Sequence, residues 1–315
     1  MKERLTAWLK ESGACAAGLA RIHPVDDDEW SRYETWLREG KHAEMTYMER
    51  NLDVRKNPGL LLENSRTLIS IAFNYRQTNP LQGEVATYAL GEDYHESLRK
   101  RLQEVVSKMQ REFGGEYRIC IDSAPLLERY WALEAGIGER SPLHGNITVA
   151  GVGSMVFLAE IITTIEFDNS LYCKPLFLPK NYWTTDDSTF KEYPCPTGAL
   201  GADGTIDSRR CINYLTIEHR GEWTAEQREL MCRPGSRNVI FGCDLCLLAD
   251  STHSTPAADC IPELAYNENL GEYISRLKDE AESGCPAKPT PGFSLRRSPL
   301  GRAGRKTLIR NFKKG

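Results

Sequence analysis

The chain has 315 residues, 40% of them hydrophobic and 27% charged, with a formal net charge of −4 at pH 7. These are the proportions of a globular protein, not of a disordered or fibrous one. No apolar run approaches the roughly 20 residues a membrane span needs, and Met1-Lys2-Glu3-Arg4 opens an amphipathic pattern instead of a secretory signal, so a cytoplasmic protein with no membrane partner is expected.

Leu5, Trp8 and Leu9 fall at helical spacing between Met1 and Ser12, Gly13 stops that helix, and Ala14 to Ala20 suits a short strand. Asp26-Asp27-Asp28 caps a second helix whose apolar face carries Trp30, Tyr33, Trp36 and Leu37. Leu68 to Tyr75 reads as a buried strand, and Tyr94 to Phe113 as a long helix closed by Gly114-Gly115. Tyr117 to Ile121 reads as another strand, and Ile147 to Phe167 suits further central strands of a mixed sheet. Leu171 to Pro194 reads as loop, which puts a domain boundary near residue 170. Pro286 to Pro299 reads as a linker into a basic tail: nine Lys or Arg and no acid lie between Ser283 and Gly315. That tail is either a solvated terminus or a phosphate-binding patch.

Ten cysteines in such a chain point to metal or buried thiols more than to disulfides. Cys15 and Cys120, in apolar surroundings, are expected in the core. Cys195-Pro196, Cys211 and the Cys243-Asp244-Leu245-Cys246 pair look like one metal site. The Cys-Pro step belongs to the ferredoxin run C-x2-C-x2-C-x3-C-P, where that cysteine ligates the cluster of the other run. Counted by this spacing, the companions of Cys195 would stand at Thr185, Ser188 and Lys191, and that of Cys246 at Asp250, so all four ligands of one cluster are absent. One [4Fe–4S] cluster on Cys195, Cys211, Cys243 and Cys246 is therefore expected, with a structural zinc site on the same thiolates as the rival.

Read together, several motifs resemble those of the epoxyqueuosine reductases, in a short form without a helical-repeat extension. They include Glu44-Met45-Thr46-Tyr47-Met48-Glu49-Arg50-Asn51, Ala72-Phe73-Asn74-Tyr75, Tyr88 to His95, Asp122-Ser123-Ala124-Pro125 continuing to Glu128-Arg129, Gly153-Ser154, Cys195 to Leu200, and Asp207 to Glu218. The resemblance implies an α/β (α+β) architecture: a flavin-reductase-like cobalamin-binding domain (1–170), a ferredoxin-like iron–sulfur domain (171–262) and a C-terminal segment with the basic tail (263–315). It implies cobalamin beside Tyr75, Asp122, Arg129, Gly153 and Ser154, with Asp122 as proton donor. It also implies a substrate tRNA carrying epoxyqueuosine, gripped by Arg296, Arg297, Arg302, Arg305 and Lys306, and an electron donor of unnamed kind. Burial could raise the Asp122 carboxyl enough for that role; alternatively Asp122 caps a helix beginning near Pro125. The family's usual pair of clusters is reduced to one here, and its usual loop after Gly138 is replaced by Glu139 to Asn146, in which His144 is expected to be solvated. The other reading is a degenerate relative that binds tRNA or a protein without redox turnover.

Overall fold

The computed structural model describes residues 1–78, 80–179, 195–249 and 260–313. Thr185, Ser188, Lys191 and Asp250, where the second cluster's ligands would stand, lie outside the described residues. Among the described residues no helix is long and apolar enough to cross a membrane.

A five-stranded sheet carries the first half of the chain. Its strands are β1 (Ala16–Arg21), β2 (Thr67–Asn74), β3 (Tyr117–Cys120), β6 (Val156–Thr163) and β7 (Lys174–Phe177), in the order β3-β6-β2-β1-β7. Every pairing is antiparallel, so the expected mixed sheet is corrected to an antiparallel one. All eight residues of β2 are buried because both faces of the sheet are covered. On one face Leu19, Ile69, Ile71, Phe73, Ala159 and Ile161 pack against α1 (Lys2–Glu11) and the twenty-residue α4 (Tyr94–Phe113). On the other, Ala16, Ala20, Leu68, Ala72 and Ile162 pack against α5 (Glu128–Glu134) and against Trp30 of α2 (Asp27–Arg38). Cys120 is buried on this face of the sheet with Cys15 packed against it, and burial pushes both thiols up to about 12.

The segment read as loop after residue 171 contributes β7, so the sheet runs through Phe177 and the expected boundary near 170 falls inside it. Lys174-Pro175-Leu176-Phe177 is short and contains a proline, which only an edge strand tolerates, and the edge is where it sits. Between β3 and β6 the chain makes a two-stranded hairpin, β4 (Glu139–Arg140) and β5 (Ile147–Thr148). The hairpin carries His144 inward to full burial, contrary to the solvated position expected of it; Nδ1 accepts from the Asn146 N–H at 3.2 Å.

A second core joins the cysteine segment to the tail. Ile217 of α6 (Ile212–Ile217), Leu270, Ile274 and Leu277 of α9 (Glu268–Ser283), Leu300, and Leu308 of α10 (Gly304–Phe312) pack with Val85, Leu90 and Phe241. The basic tail is therefore no solvated terminus. Arg310 is buried, donates to the carbonyls of Leu215, His219 and Gly221, and stacks its guanidinium 4.7 Å from the Trp223 ring centre. Asn311 donates to the carbonyls of Thr216 and Ile240. Two of these acceptors, the Leu215 and Thr216 carbonyls, lie in the last turn of α6, where carbonyls lose their helical partners and need others.

Candidate functional site

Asp122 stands two residues beyond β3 with φ of +51°, a left-handed conformation few non-glycine residues adopt. It does not cap α5, which begins at Glu128; instead its backbone N–H donates to Glu128 Oε1 at 2.7 Å. Its side chain is gripped from α4. Tyr94 Oη donates to Asp122 Oδ2 at 2.8 Å, and His95 Nε2 lies 3.3 Å from the same oxygen. The other ring nitrogen of His95 is 2.8 Å from Asp93 Oδ1, while Asp93 also accepts from the His95 N–H and so caps α4. Tyr94 is itself clamped, stacked at 4.1 Å on Phe157 and at 4.1 Å on His95.

The titration of these groups follows from that geometry. Burial alone would lower His95, but its hydrogen bonds to Asp122 and Asp93 outweigh burial and lift it to about 9. Burial would raise Asp122, but hydrogen bonds from His95 and Tyr94, with the charges of His95 and Arg302, hold it below the usual carboxylate range. The expected upward shift of Asp122 by desolvation is thus corrected: near neutral pH the proton rests on His95, and the pair as a unit holds it. Glu128 goes the other way, pushed up to about 8 by burial and by the charge of Asp122.

The pair opens on a cleft lined also by Tyr75, Arg129, Ser154 and Phe157. Four of the five residues assigned from the sequence to cofactor binding therefore meet in one place. Gly153 adjoins them, with φ of +95° and a bridge to Val149. Burial and the nearby Arg140 lower the guanidinium of Arg129. Arg302 lies over the Tyr47 ring, 5.8 Å from its centre, and its charge reaches Asp122.

The four cysteines gather beside this cleft. Cys211 occupies the position before α6, and Cys246 falls in the first turn of α8 (Leu245–Leu248), whose preceding Asp244 accepts from the Thr87 N–H at 2.6 Å. Among the described residues no three His, Cys, Asp or Glu side chains converge tightly enough for a lone metal ion. The thiols are nonetheless close enough that charge on Cys211 acts on both Cys243 and Cys246, and charge on Cys195 acts on Cys211 and Cys246. Burial raises Cys211, Cys243 and Cys246, so a positive centre is needed to make them thiolates. Cys195 differs. Burial would raise it, but a hydrogen bond with Thr197 at 3.4 Å and backbone N–H groups of Thr197, Ala199 and Leu200 lower it. Charge on Cys246 also reaches Arg129 and Tyr75, which puts the cysteines next to the cleft.

Of the tail residues, Arg296, Arg297, Arg302 and Lys306 are exposed, whereas Arg305 is half-buried against Glu280. Sequence reasoning did not single out Tyr94, His95 or Glu128. The available signal was Asp93-Tyr94-His95 at a helix start, where a capping carboxylate must lie beside an imidazole.

Residues 55–123 match the family model described as "Epoxyqueuosine reductase QueG, DUF1730". An epoxyqueuosine reductase from Cyclobacterium marinum is 34% identical over 70% of this chain and 69% of its own length. Another, from Xanthomonas campestris pv. campestris, is 31% identical over 99% of this chain and 85% of its own. A crystal structure of epoxyqueuosine reductase with an epoxyqueuosine-modified tRNA-Tyr stem loop superposes with a TM-score of 0.77 at 23% identity, covering 99% of this chain and 80% of that one.

Proposed function

The chain belongs to the epoxyqueuosine reductase family of oxidoreductases, and from that premise we propose that its Asp122–His95 pair protonates the epoxide oxygen of epoxyqueuosine in tRNA as the base is reduced to queuosine. The observation that carries the assignment is the convergence of Asp122, Tyr94 and His95 on a cleft shared with Tyr75, Arg129 and Ser154. An expelled oxygen must take up a proton, and an acid works best when its proton is available near the working pH. An ionised Asp122 bonded to a protonated His95 meets that need. His95 holds the proton, Asp122 presents it, and Tyr94 fixes the carboxylate in place.

The aromatic wall of Tyr75, Tyr94 and Phe157 suits a large flat macrocycle with Arg129 and Ser154 at its polar edge, so cobalamin is the group proposed for the cleft. One [4Fe–4S] cluster is proposed for Cys195, Cys211, Cys243 and Cys246. When bound, the two would supply the electrons of the reduction. The substrate is held by its phosphates at Arg296, Arg297, Arg302, Arg305 and Lys306, in proportion to how freely each reaches solvent. The division proposed is a sheet domain extended to residue 177, with the cysteine segment and tail as the second unit.

Anaerobic reconstitution followed by iron, sulfide and absorbance measurement tests the assignment together with conversion of an epoxyqueuosine-bearing stem loop. About four irons and four sulfides per chain are expected, not eight, with a cobalamin spectrum and formation of the alkene. Zinc without sulfide, or no conversion by fully loaded protein, overturns the reading.

A further inference from the structure

A second hollow shares the loop that carries Asp122. That loop gives Asp122 and Glu128 to the cleft, and Ser123, Ala124 and Pro125 to a groove of about 590 Å³. Arg118 of β3 lines the groove, and β3 is the terminal strand of the sheet, paired only with β6 among the described residues. α4 supplies a wall. His95, Arg99, Gln103 and Val106 follow one another at i, i+4, i+8 and i+11, which places them on one stripe of that helix. His95 grips Asp122 and the other three line the groove, so the wall starts at the proposed acid and runs away from it.

Both charged residues of the lining are arginines, and no carboxylate joins them. In a chain of net charge −4 that is a local excess of positive charge. Arg118 is exposed; its Nη1 donates to the Leu61 carbonyl at 3.0 Å, which steadies the side chain and leaves the rest of its fork open. Arg99 makes no hydrogen bond or ion pair among the described residues, and neither does the Ser123 hydroxyl or the Gln103 amide. Two guanidinium forks beside a hydroxyl and an amide form a donor set suited to phosphate. An open sheet edge can also accept an added peptide strand, but β3 has four residues and carries an arginine within it. Short, charged edges are how sheets resist strand addition.

We propose that this groove is a phosphate subsite for the RNA strand flanking the reacting base, with Arg99 and Arg118 as its cations and Ser123 and Gln103 as neutral donors. A base read from a single-stranded loop is splayed out of its stack, which leaves its own backbone outside the pocket that holds it. Ser123 follows Asp122 directly, so the backbone of a base held at Asp122 passes within reach of the groove. Phosphate contacts fix register without reading sequence, and here they hold the epoxide in place against Asp122. The basic tail meets the same helix: the Asp93 N–H donates to the Arg297 carbonyl at 3.0 Å. α4 thereby links the tail, the His95–Asp122 pair and the groove. Arg99 and Arg118 touch no reacting atom and act as positioning residues. The inference rests on the reading of tRNA as the substrate given above.

The test measures binding of the holoenzyme to an anticodon stem loop without the modification, at several salt concentrations, so that turnover plays no part. The double variant Arg99→Gln with Arg118→Gln should lower the slope of log affinity against log salt by about 1.4, roughly 0.7 for each single-strand phosphate contact. Arg99→Lys with Arg118→Lys should keep the slope, because lysine still neutralises a phosphate as a point charge. Arg99→Gln alone, which removes no bond of the fold, should lower the slope by roughly 0.7 at an unchanged melting temperature. Placing uncharged methylphosphonates on both sides of the wobble nucleotide should weaken binding to wild type and weaken binding to the Gln double variant much less, since the same contact is then cut from its other end. A wild-type slope in Arg99→Gln and in the Gln double variant, or equal methylphosphonate losses in wild type and variant, overturns the subsite. A loaded wild type that leaves the epoxide untouched while the slopes fall as stated defeats the reductase reading and leaves the subsite standing.

Discussion

The sheet half and the cysteine half of this molecule are held together by different means. The sheet is apolar on both faces, and its strands and helices are periodic stretches that bury themselves: Leu68, Ile69, Ile71, Ala72 and Phe73 in β2, and Leu98, Leu102, Val105 and Met109 in α4. Around its cysteines the second half has only short helices, α6 of six residues and α8 of four, and it depends on polar side chains that reach across the chain. Arg310 and Asn311 close the end of α6, Asp244 receives the Thr87 N–H, and Tyr214 donates to Glu44 at 3.2 Å. A periodic element survives the loss of any one contact, whereas a loop held by a few buried hydrogen bonds does not. The proposed site lies where the two halves meet, so the position of Asp122 is set by the sheet half and that of the four cysteines by the other.

Ending the chain at Gly292 should break that contrast most severely. It removes Leu300 and Leu308 from the second core along with Arg310 and Asn311. The two leucines alone are worth roughly 3–6 kcal/mol at about 1.5–3 each, against a total stability of roughly 5–15. The truncated protein should therefore fail to hold its cysteine half, seen as lost iron and protease-sensitive chain beyond Phe177. A truncated form that binds about four irons would show the tail to be dispensable.

Asp122→Asn tests the sheet half. It preserves shape but cannot relay a proton from His95, so turnover should fall by about 10²-fold or more, with iron content little changed and a lower melting temperature near neutral pH, because protonated His95 loses one of its two carboxylate partners. Turnover near the wild-type rate would remove Asp122 from the chemistry.

The pH dependence is a milder probe of the same pair. His95 is lifted from 6.5 to about 9 in the folded protein, so the stability it contributes is complete below about 6.5 and is lost as pH rises through about 9. Asp122 is lowered, so its contribution is present above about 3.8 and is lost only as pH falls through its lower folded value. Between these limits the pair keeps one proton, and kcat/KM should decline above about pH 9. In His95→Gln the decline should move to lower pH, governed by Asp122 itself. Persistence of the limb near 9 in that variant would show that another group titrates.

What could be read in the sequence follows the same division. β2 and α4 are legible because long periodic runs leave few alternatives, and the nearness of Tyr75, Asp122, Arg129 and Ser154 to one another is legible only through the motifs that carry them. β7 was not, since four residues with a proline carry no period. The sign of the Asp122 shift was hidden as well: it depends on a histidine 27 residues away in sequence, pinned by its own helix cap. The tail is only partly legible from its charge. Its charges are real, but a composition count cannot separate Arg310, which is spent on backbone carbonyls, from Arg296, which faces solvent.

That separation makes the smallest and last prediction. Each protein cation that neutralises a phosphate contributes roughly 0.7–0.9 to the slope of log affinity against log salt. Arg296 and Lys306 are exposed, so the double variant Arg296→Gln with Lys306→Gln should lower that slope for tRNA by roughly 1.4–1.8 while the fold is kept. Arg305 is half-buried and engaged by Glu280 on α9. Arg305→Gln should leave the slope almost unchanged and cost a little melting temperature instead, because an ion pair within the second core is lost without a phosphate contact. If Arg305→Gln lowers the slope as much as the exposed pair does, then Glu280 releases it on binding, and the tail answers tRNA by exchanging partners. If neither variant moves the slope, the phosphates are held elsewhere, and the exposed Arg302, stacked on Tyr47, becomes the next place to cut.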